Sequence, residues 1–428
     1  MFGAFITALS ALRATGTGID AVGNNLANLN TIGFKRTSVS FRDLVADTGS
    51  SGLKQIGSGV SSPLTIKQFL QGTIQTTNGR LDAAVQGDGF FIVRSAKSTA
   101  SDPSARLFSR AGDFRIDENG ILITATGEHV QGWSLNTISG KVNPSDPIGD
   151  IIVPVGSNRA SKATTNFGID MNLDASATTG STFSVPVNTY DSLGNAHVLS
   201  VTFTKTGVNA WDASMSTSDP AIGTITPAGP WTFTFDSAGA LNTVAGTGYN
   251  ATSGLIEGIG FTPTNGASPQ TLAWAPWSTV PVGTTPGVGH VSQFAQPSAS
   301  SSITQDGLPA ALLTNVNINN GGDVLAQFSN GSELVVAKLP LAAIRNPDTL
   351  VSLGNNNFRL GAGSANPVIG EAGTGGRGDI VGGAVESSNV DIAEEFTRLI
   401  TLQRSYQANA KMITTTDELS QDTINLKR

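Results

Sequence analysis

The chain has no cysteine, only three histidines and few charges, and each scarcity closes off a class of chemistry. Without cysteine there are no disulfides and no thiolate metal sites. His129, His197 and His290 stand far apart and none has a metal-ligand spacing such as His-x-x-x-His, so each is expected at the surface or in a hairpin. Charged residues make up 13% of the chain, about half the usual share. A net charge of -7 and a pI near 5.0 argue against a nucleic-acid partner, which requires basic patches that displace phosphate counterions. No apolar run is long enough to span a bilayer, and no basic segment precedes an apolar core at the N-terminus. Membrane insertion is therefore not expected, and neither is a cleaved secretory signal.

Catalytic signatures are also lacking. No serine-centred nucleophile elbow occurs, and Asp113, Asp117 and Glu118 read as turn and strand-end residues; no carboxylate pair is declared by spacing. Gly373 to Gly378 spells G-x-G-x-x-G, but outside a βαβ unit it reads as a flexible loop. Asp191 to Asn195 lacks the later bidentate glutamate of a calcium loop and reads as a hairpin turn. No catalytic residue, metal or cofactor is expected. A β-rich hydrolase would need a carboxylate pair centred on residues such as Asp113 or Glu118.

What the chain does contain is glycine, 50 residues among 428, which points to β-strands joined by many turns in two or three domains. The two ends are different. Between Met1 and Asn30, the residues Phe5, Leu9, Leu12, Gly16, Ile19, Gly23, Leu26 and Asn30 follow a four-three alternation, with Phe2, Ile6, Val22 and Leu29 widening the stripe. From Asn389 to Arg428, Phe396, Leu399, Gln403, Tyr406, Ala410, Ile413, Asp417, Ser420 and Ile424 do the same. Both are heptad registers of long helices. Asn389 is the expected N-cap of the second, Asp391, Glu394 and Glu395 suit its first turn, and Lys427 and Arg428 its last. Gly16, Gly18 and Gly23 each weaken the first helix by about 1 kcal/mol relative to alanine, so packing must hold it. Polar residues on the second seam make a self-sufficient pair poor, and contacts shared with further copies are the expected remedy; a plain two-helix packing inside one domain is the alternative.

Two motifs carry a resemblance. Asn24-Asn25-Leu26-Ala27-Asn28 followed by Thr31-Ile32-Gly33-Phe34-Lys35-Arg36 resembles the N-terminal signature of the bacterial flagellar rod and hook family. Here the asparagines are expected to end the helix, Gly33 to take the left-handed C-cap conformation and Phe34 to anchor the turn. Ser388-Asn389-Val390-Asp391 and Gln403-Arg404-Ser405-Tyr406-Gln407-Ala408-Asn409 are similar to the same family's C-terminal signature.

Between the helices, residues 37–77 read as an extended linker. Residues 78–156 and 303–385 read as the two halves of a β-domain, with Asn-Gly hairpin signals at Asn119-Gly120 and Asn330-Gly331. Residues 157–302 read as an inserted β-domain, with strands flanking Asp191 to Asn195 and a core drawn from Trp211, Trp231, Phe233, Phe235, Trp274 and Trp277. The Asp-Ser-x-Gly-Asn-x-His segment at 191–197 resembles the outer domain of hook members. The fold class expected is thus mainly β with long terminal helices, nested: residues 1–36 and 386–428 paired as an inner coiled-coil layer, and the second β-domain inserted in the first.

The resemblance implies a structural subunit of the hook, a curved helical tube assembled from copies of itself. It implies export without a cleaved signal and an extracellular place in the hook and basal body. The implied partners are the distal rod, the hook cap, hook-length control and hook-filament junction proteins and the flagellar export apparatus. The implied self-interaction residues are Phe5, Leu9, Leu12, Ile19, Leu26, Asn28, Gly33, Phe34, Phe396, Leu399, Gln403, Tyr406, Ala410 and Ile413. Heterologous contacts that do not close produce such a polymer. In a dilute monomer, terminal helices of this kind are expected to be largely disordered. Alternatives are a distal rod subunit, against which the insertion argues, and a secreted β-rich adhesin or carbohydrate-binding module.

Overall fold

The computed structural model describes residues 2–45, 57–98, 105–136, 140–156, 158–277 and 291–425. His290, Lys427 and Arg428 lie outside the described residues, as do the side chains of Phe2 and Ile424. The chain divides into two compact units, one of residues 1–155, 314–327 and 332–428, the other of residues 156–313 and 328–331.

The first unit holds both long helices, α1 (Phe2–Ala27) and α2 (Ile392–Asn425). At 1.5 Å per residue they run about 39 Å and about 51 Å. Asp391, rather than Asn389, caps α2: its Oδ1 accepts the Glu394 amide at 3.0 Å, while Glu394 and Glu395 occupy the first turn, where the helix dipole favours them.

The helices pair, but through other faces than the heptad stripes suggest. The buried residues of α1 are Ala8, Ala14, Thr15, Gly18, Val22 and Asn25, a row turned roughly a third of the way around the helix from Phe5, Leu9, Leu12, Ile19 and Leu26. A Cβ on Gly18 would lie 3.1 Å from both terminal carbons of Leu402, so α2 makes its close approach where α1 has no side chain. On α2 the inward row is Leu402, Ser405, Asn409, Ile413, Thr416 and Ser420, all half-buried. It shares Ile413 and Ser420 with the expected seam, Leu399 and Ala410 of that seam are half-buried beside it, and Phe396, Gln403, Tyr406 and Asp417 are exposed. Small residues let the backbones approach, and Phe5, Ile6, Ile392, Phe396 and Ile400 are left exposed.

Of residues 37–77, read as linker from composition, the described stretches 37–45 and 57–77 are held by strand pairing. Thr37–Ser40 pairs antiparallel with Leu64–Lys67, Asp43–Val45 with Gly57–Val60, and Ile74–Thr76 with Ala384–Glu386. Phe69 from this stretch packs edge-on against Phe90 at 5.4 Å and Phe358 at 5.0 Å, contacts worth roughly 0.5–1.5 kcal/mol each beyond burial. These rings join Ile92, Phe108, Ala342, Ile344 and Leu350 in a core of the first unit. The strand His129–Asn136 pairs with Phe91–Arg94 on the N-terminal side of the chain and with Glu333–Lys338 on the C-terminal side, so segments before and after the insertion share one sheet.

The second unit is a sandwich. One sheet is an antiparallel meander of Thr182–Tyr190, Ala196–Gly207, Ala210–Thr217, Trp231–Phe235 and Leu241–Ala245. The other centres on Asn166–Asp174, which runs parallel to Gln270–Ala275 and Val291–Phe294 and antiparallel to Ala299–Gln305. Strict alternation of buried and part-exposed residues along Trp231–Phe235 is the two-residue period of a strand with one face in a core. Trp211, Trp231, Phe233, Phe235, Trp274 and Trp277 are all buried in that core. The unit begins at Gly156 and its main segment ends at Leu313, eleven residues beyond the expected end at Ser302. The reason is pairing: Ile303 lies opposite Ile169 within the inserted sheet, and Ala311 and Leu312 pair with Arg159 and Asn158.

Candidate assembly surface and the junction beneath it

The N-terminal motif ends up inside the first unit. After α1 ends at Ala27, the turn is secured by Asn28, whose Nδ2 donates to Asn24 O at 2.9 Å and whose Oδ1 accepts from the Thr31 hydroxyl at 3.1 Å. Buried Asn25 acts as a surrogate strand: Nδ2 donates to Thr37 O at 2.9 Å and Oδ1 accepts from Thr37 N at 2.8 Å. Gly33 is not the helix C-cap, since it lies six positions beyond Ala27, but it does hold a left-handed φ of 69°. Any Cβ there would meet Ala111 N at 2.5 Å. Its own amide donates to Glu386 O at 2.7 Å. Phe34 is buried with the Lys67 ammonium 4.5 Å from its ring centre.

Three charges meet below this turn. Lys35 Nζ lies 2.7 Å from Glu386 Oε1 and also donates to Leu70 O at 2.7 Å. Arg110 Nη1 reaches Glu386 Oε2 at 3.2 Å, and its Nη2 donates to Gly87 O at 2.9 Å. Gly72 N adds a bond to Glu386 Oε1 at 2.8 Å. The guanidinium also sits 5.1 Å from the Phe90 ring centre. Two cations share one carboxylate in a site closed to water, and desolvation pushes the Lys35 ammonium below its ordinary range although Glu386 opposes the shift. The cluster fastens the exit from α1, the β-domain and the approach to α2 at one point.

The approach to α2 is fastened separately. Asn389 Oδ1 accepts from Arg36 N at 2.7 Å, and its Nδ2 donates to Gln68 O at 2.8 Å and Leu70 O at 3.0 Å. Arg36 Nη1 then pairs with Glu394 Oε2 at 2.6 Å, on the first turn of α2. Nothing in spacing foretells the Lys35–Arg110–Glu386 cluster. The signal that was available is a lone glutamate in the apolar run Ala384-Val385-Glu386, in a chain that spends few charges.

Of the expected self-interaction residues, Asn28, Gly33 and Phe34 are thus engaged within this chain. Leu9, Leu12, Ile19, Leu26, Leu399, Ala410 and Ile413 are half-buried, while Phe5, Phe396, Gln403 and Tyr406 are exposed. Ile392, Phe396 and Ile400, spaced by four and so on one helix face, are 47%, 51% and 51% exposed. Ile6 near the start of α1 is exposed as well. Arg404 and Gln407 of the second motif also face outward.

The remaining candidates are placed as follows. His197 is buried against Asp191 and Asp219, not at the surface; His129 Nδ1 lies 3.0 Å from Asp150 Oδ2. Asp191 Oδ1 accepts the amides of Leu193 and Asn195, each at 2.9 Å, the bonding of a hairpin turn. Gly373 and Gly378 close a loop by a backbone bond. Among the described residues no group of three His, Asp or Glu is arranged to hold a metal, and no helix is long and apolar enough to cross a membrane.

Comparison with known proteins matches three segments of the chain to described families. Residues 5–35 match the family described as flagella basal body rod protein, residues 111–308 the flagellar basal body protein FlaE D2 domain, and residues 381–426 the flagellar basal body rod FlgEFG protein C-terminal family. The chain is 32% identical to the flagellar hook protein FlgE of Borreliella burgdorferi, with both chains covered completely. It is 31% identical to that of Salmonella typhimurium over 99% of this chain and all of the relative. The crystal structure of Helicobacter pylori flagellar hook protein FlgE2 superposes with a TM-score of 0.51 at 15% identity, covering 72% of this chain and 99% of that one, a likeness of fold.

Proposed function

Because the chain belongs to the flagellar hook protein family and is a structural subunit of the hook, we propose that it polymerises through the outward faces of its paired terminal helices. The observation that carries this reading is the row Ile392, Phe396 and Ile400, half exposed on a helix whose opposite face is already occupied by α1. Burying such side chains contributes about 1.5–3 kcal/mol each, and a single chain leaves that contribution unmade.

The division of labour follows from the two units. The small-residue interface and the buried charge cluster stiffen the helices against the first β-domain, so torque applied to one helix is passed to the body of the subunit. The second unit, with a surface rich in Ser and Thr and few charges, supplies contacts that tolerate sliding as a curved tube rotates. Distal rod, cap, length-control and junction proteins are the partners this role calls for, and export in an extended state through the flagellar apparatus is the route.

The test is polymerisation of purified chain followed by sedimentation and electron microscopy. Phe396→Glu combined with Ile400→Glu is expected to leave circular dichroism of the monomer unchanged and to abolish tubes. Tubes of normal yield and diameter from that variant would overturn the proposal.

A further inference from the structure

His197 is the second residue of the strand Ala196–Gly207 and is 2% exposed. Both of its ring nitrogens face carboxylates: Nδ1 lies 2.8 Å from Asp219 Oδ2, and Nε2 lies 3.1 Å from Asp191 Oδ2. A neutral imidazole has one N–H and one lone pair, so it can donate to only one of these oxygens; the imidazolium donates to both. The geometry therefore requires the charged ring.

Each carboxylate is anchored to a different connection. Asp191 stands in the turn after Thr182–Tyr190 and its Oδ2 also accepts from Asn265 Nδ2 at 2.6 Å, in the turn between Leu255–Phe261 and Gln270–Ala275. Asp219 lies in the long connection between Ala210–Thr217 and Trp231–Phe235, and its Oδ1 accepts from Ala221 N at 2.8 Å. That connection carries Ile222 and Ile225 into the core and walls an open groove of about 530 Å³ with Asp219 on its rim. The Phe261 ring meets the imidazole edge-on, 6.3 Å between centres. The charged groups facing His197 are Asp191 and Asp219.

We propose that His197 is an alkali-labile staple, a charged ring that fastens three connections at one end of the inserted domain and lets go of one of them when it loses a proton. Deprotonation turns a donor into a lone pair facing a carboxylate oxygen. Asp191 is held by four further bonds, from the Leu193 and Asn195 amides, Asn195 Nδ2 and Asn265 Nδ2, so the contact given up is the one to Asp219 and its loop. Burial alone would lower the basicity of the ring, but the bonds to Asp219 and Asp191 outweigh it and hold the ring above the ordinary histidine value. The sign follows: with the folded-state value raised, the staple is fully present below the unfolded histidine value of about 6.5 and is lost as pH rises through the folded one. The neutral to alkaline range is where this domain loosens.

The test is a proton NMR titration of the histidine rings in the full-length, unpolymerised chain, with amide-exchange protection factors for Asp219, Ala221, Ile222 and Gly223 measured across the same range. The His197 resonance, assigned by its loss in His197→Gln, is expected to titrate above the ordinary value, and loop protection is expected to fall with it. Asp219→Asn, at a side chain 24% exposed, is expected to preserve the fold, to shift the His197 midpoint downward and to remove the pH dependence of loop protection. A His197 midpoint at or below the ordinary value, or the same pH-dependent protection in Asp219→Asn as in the parent, would overturn the proposal.

Discussion

Lys35 and Glu386, 351 positions apart in the chain, form an ion pair of 2.7 Å in which both side chains are completely buried. Arg110 completes the group from the opposite side of the carboxylate. One residue comes from the segment leaving α1, one from the segment leading to α2 and one from the β-domain, so the pair is where the helical and β parts of the first unit are joined.

Removing the shared anion is expected to be far worse than removing one cation. Glu386→Gln leaves two buried cations without a counter-charge and should cost about 3–5 kcal/mol. Lys35→Met leaves Glu386 bonded to Arg110 and the Gly72 amide, and should cost roughly 1–2 kcal/mol, the value of lost charge-assisted bonds. Denaturant unfolding of the two variants checks the order, and equal losses would mean that the cluster does not act as a unit.

Two glycines should respond in opposite directions. Gly33→Ala must accommodate a Cβ 2.5 Å from Ala111 N at a φ of 69°, and a loss of roughly 1–3 kcal/mol is expected. Gly16, within α1, has nothing within 4 Å of the position a Cβ would take. Gly16→Ala should therefore stabilise the helix by about 1 kcal/mol. Thermal unfolding of the two variants, read against the parent, measures both.

Acid should loosen the second unit by a route separate from the alkaline staple. Asp306 is bonded by the Thr165 and Asn166 amides, both at 2.8 Å, by the Thr165 hydroxyl at 2.6 Å and by Lys162 at 3.1 Å. Burial raises the carboxyl and these bonds more than reverse it, so its folded value lies well below the ordinary carboxylate range. A depressed folded value gives stability that is present above the unfolded value and lost as pH falls through the folded one. In Asp306→Asn the drop in unfolding midpoint between neutral pH and acid should be smaller than in the parent; an identical drop would remove Asp306 from the account.

Limited proteolysis should separate anchored from unanchored helix. In dilute monomer, cuts are expected in the outer turns of α1 and α2, and trimming from either end is expected to stop before Lys35 and after Glu386, which are buried in one ion cluster. Mass spectrometry of the protected core reads its termini. Termini fully resistant in dilute monomer would contradict the view that packing between copies stabilises the helices.

Helix positions, the insertion and its aromatic core could all be read from residue order, because period, turn chemistry and bulky apolar residues are local signals. The faces of the helices could not. Counting apolar residues selects the stripe through Phe5, Leu12 and Phe396, whereas the interface is chosen by how closely backbones can approach, which favours Ala8, Ala14 and Gly18. The same difficulty hid the role of residues 37–77. Their strands are short and polar, and only their partners, Ala384–Glu386 among them, show them to be part of a folded body. His197 does lie in a hairpin, opposite Thr189, but its burial is not legible, because a histidine two residues after a turn gives no sign of Asp219, which lies 22 positions on.

The central claim is that the apolar row left outside the helix pair is the surface by which copies assemble. A helical reconstruction of the polymer, at a resolution that shows side chains, tests it most directly. The account predicts Ile392, Phe396 and Ile400 buried against neighbouring copies, with Gly18 still facing Leu402 of its own chain. Those three side chains facing open solvent in the tube, or α1 paired with the α2 of another copy, would contradict it.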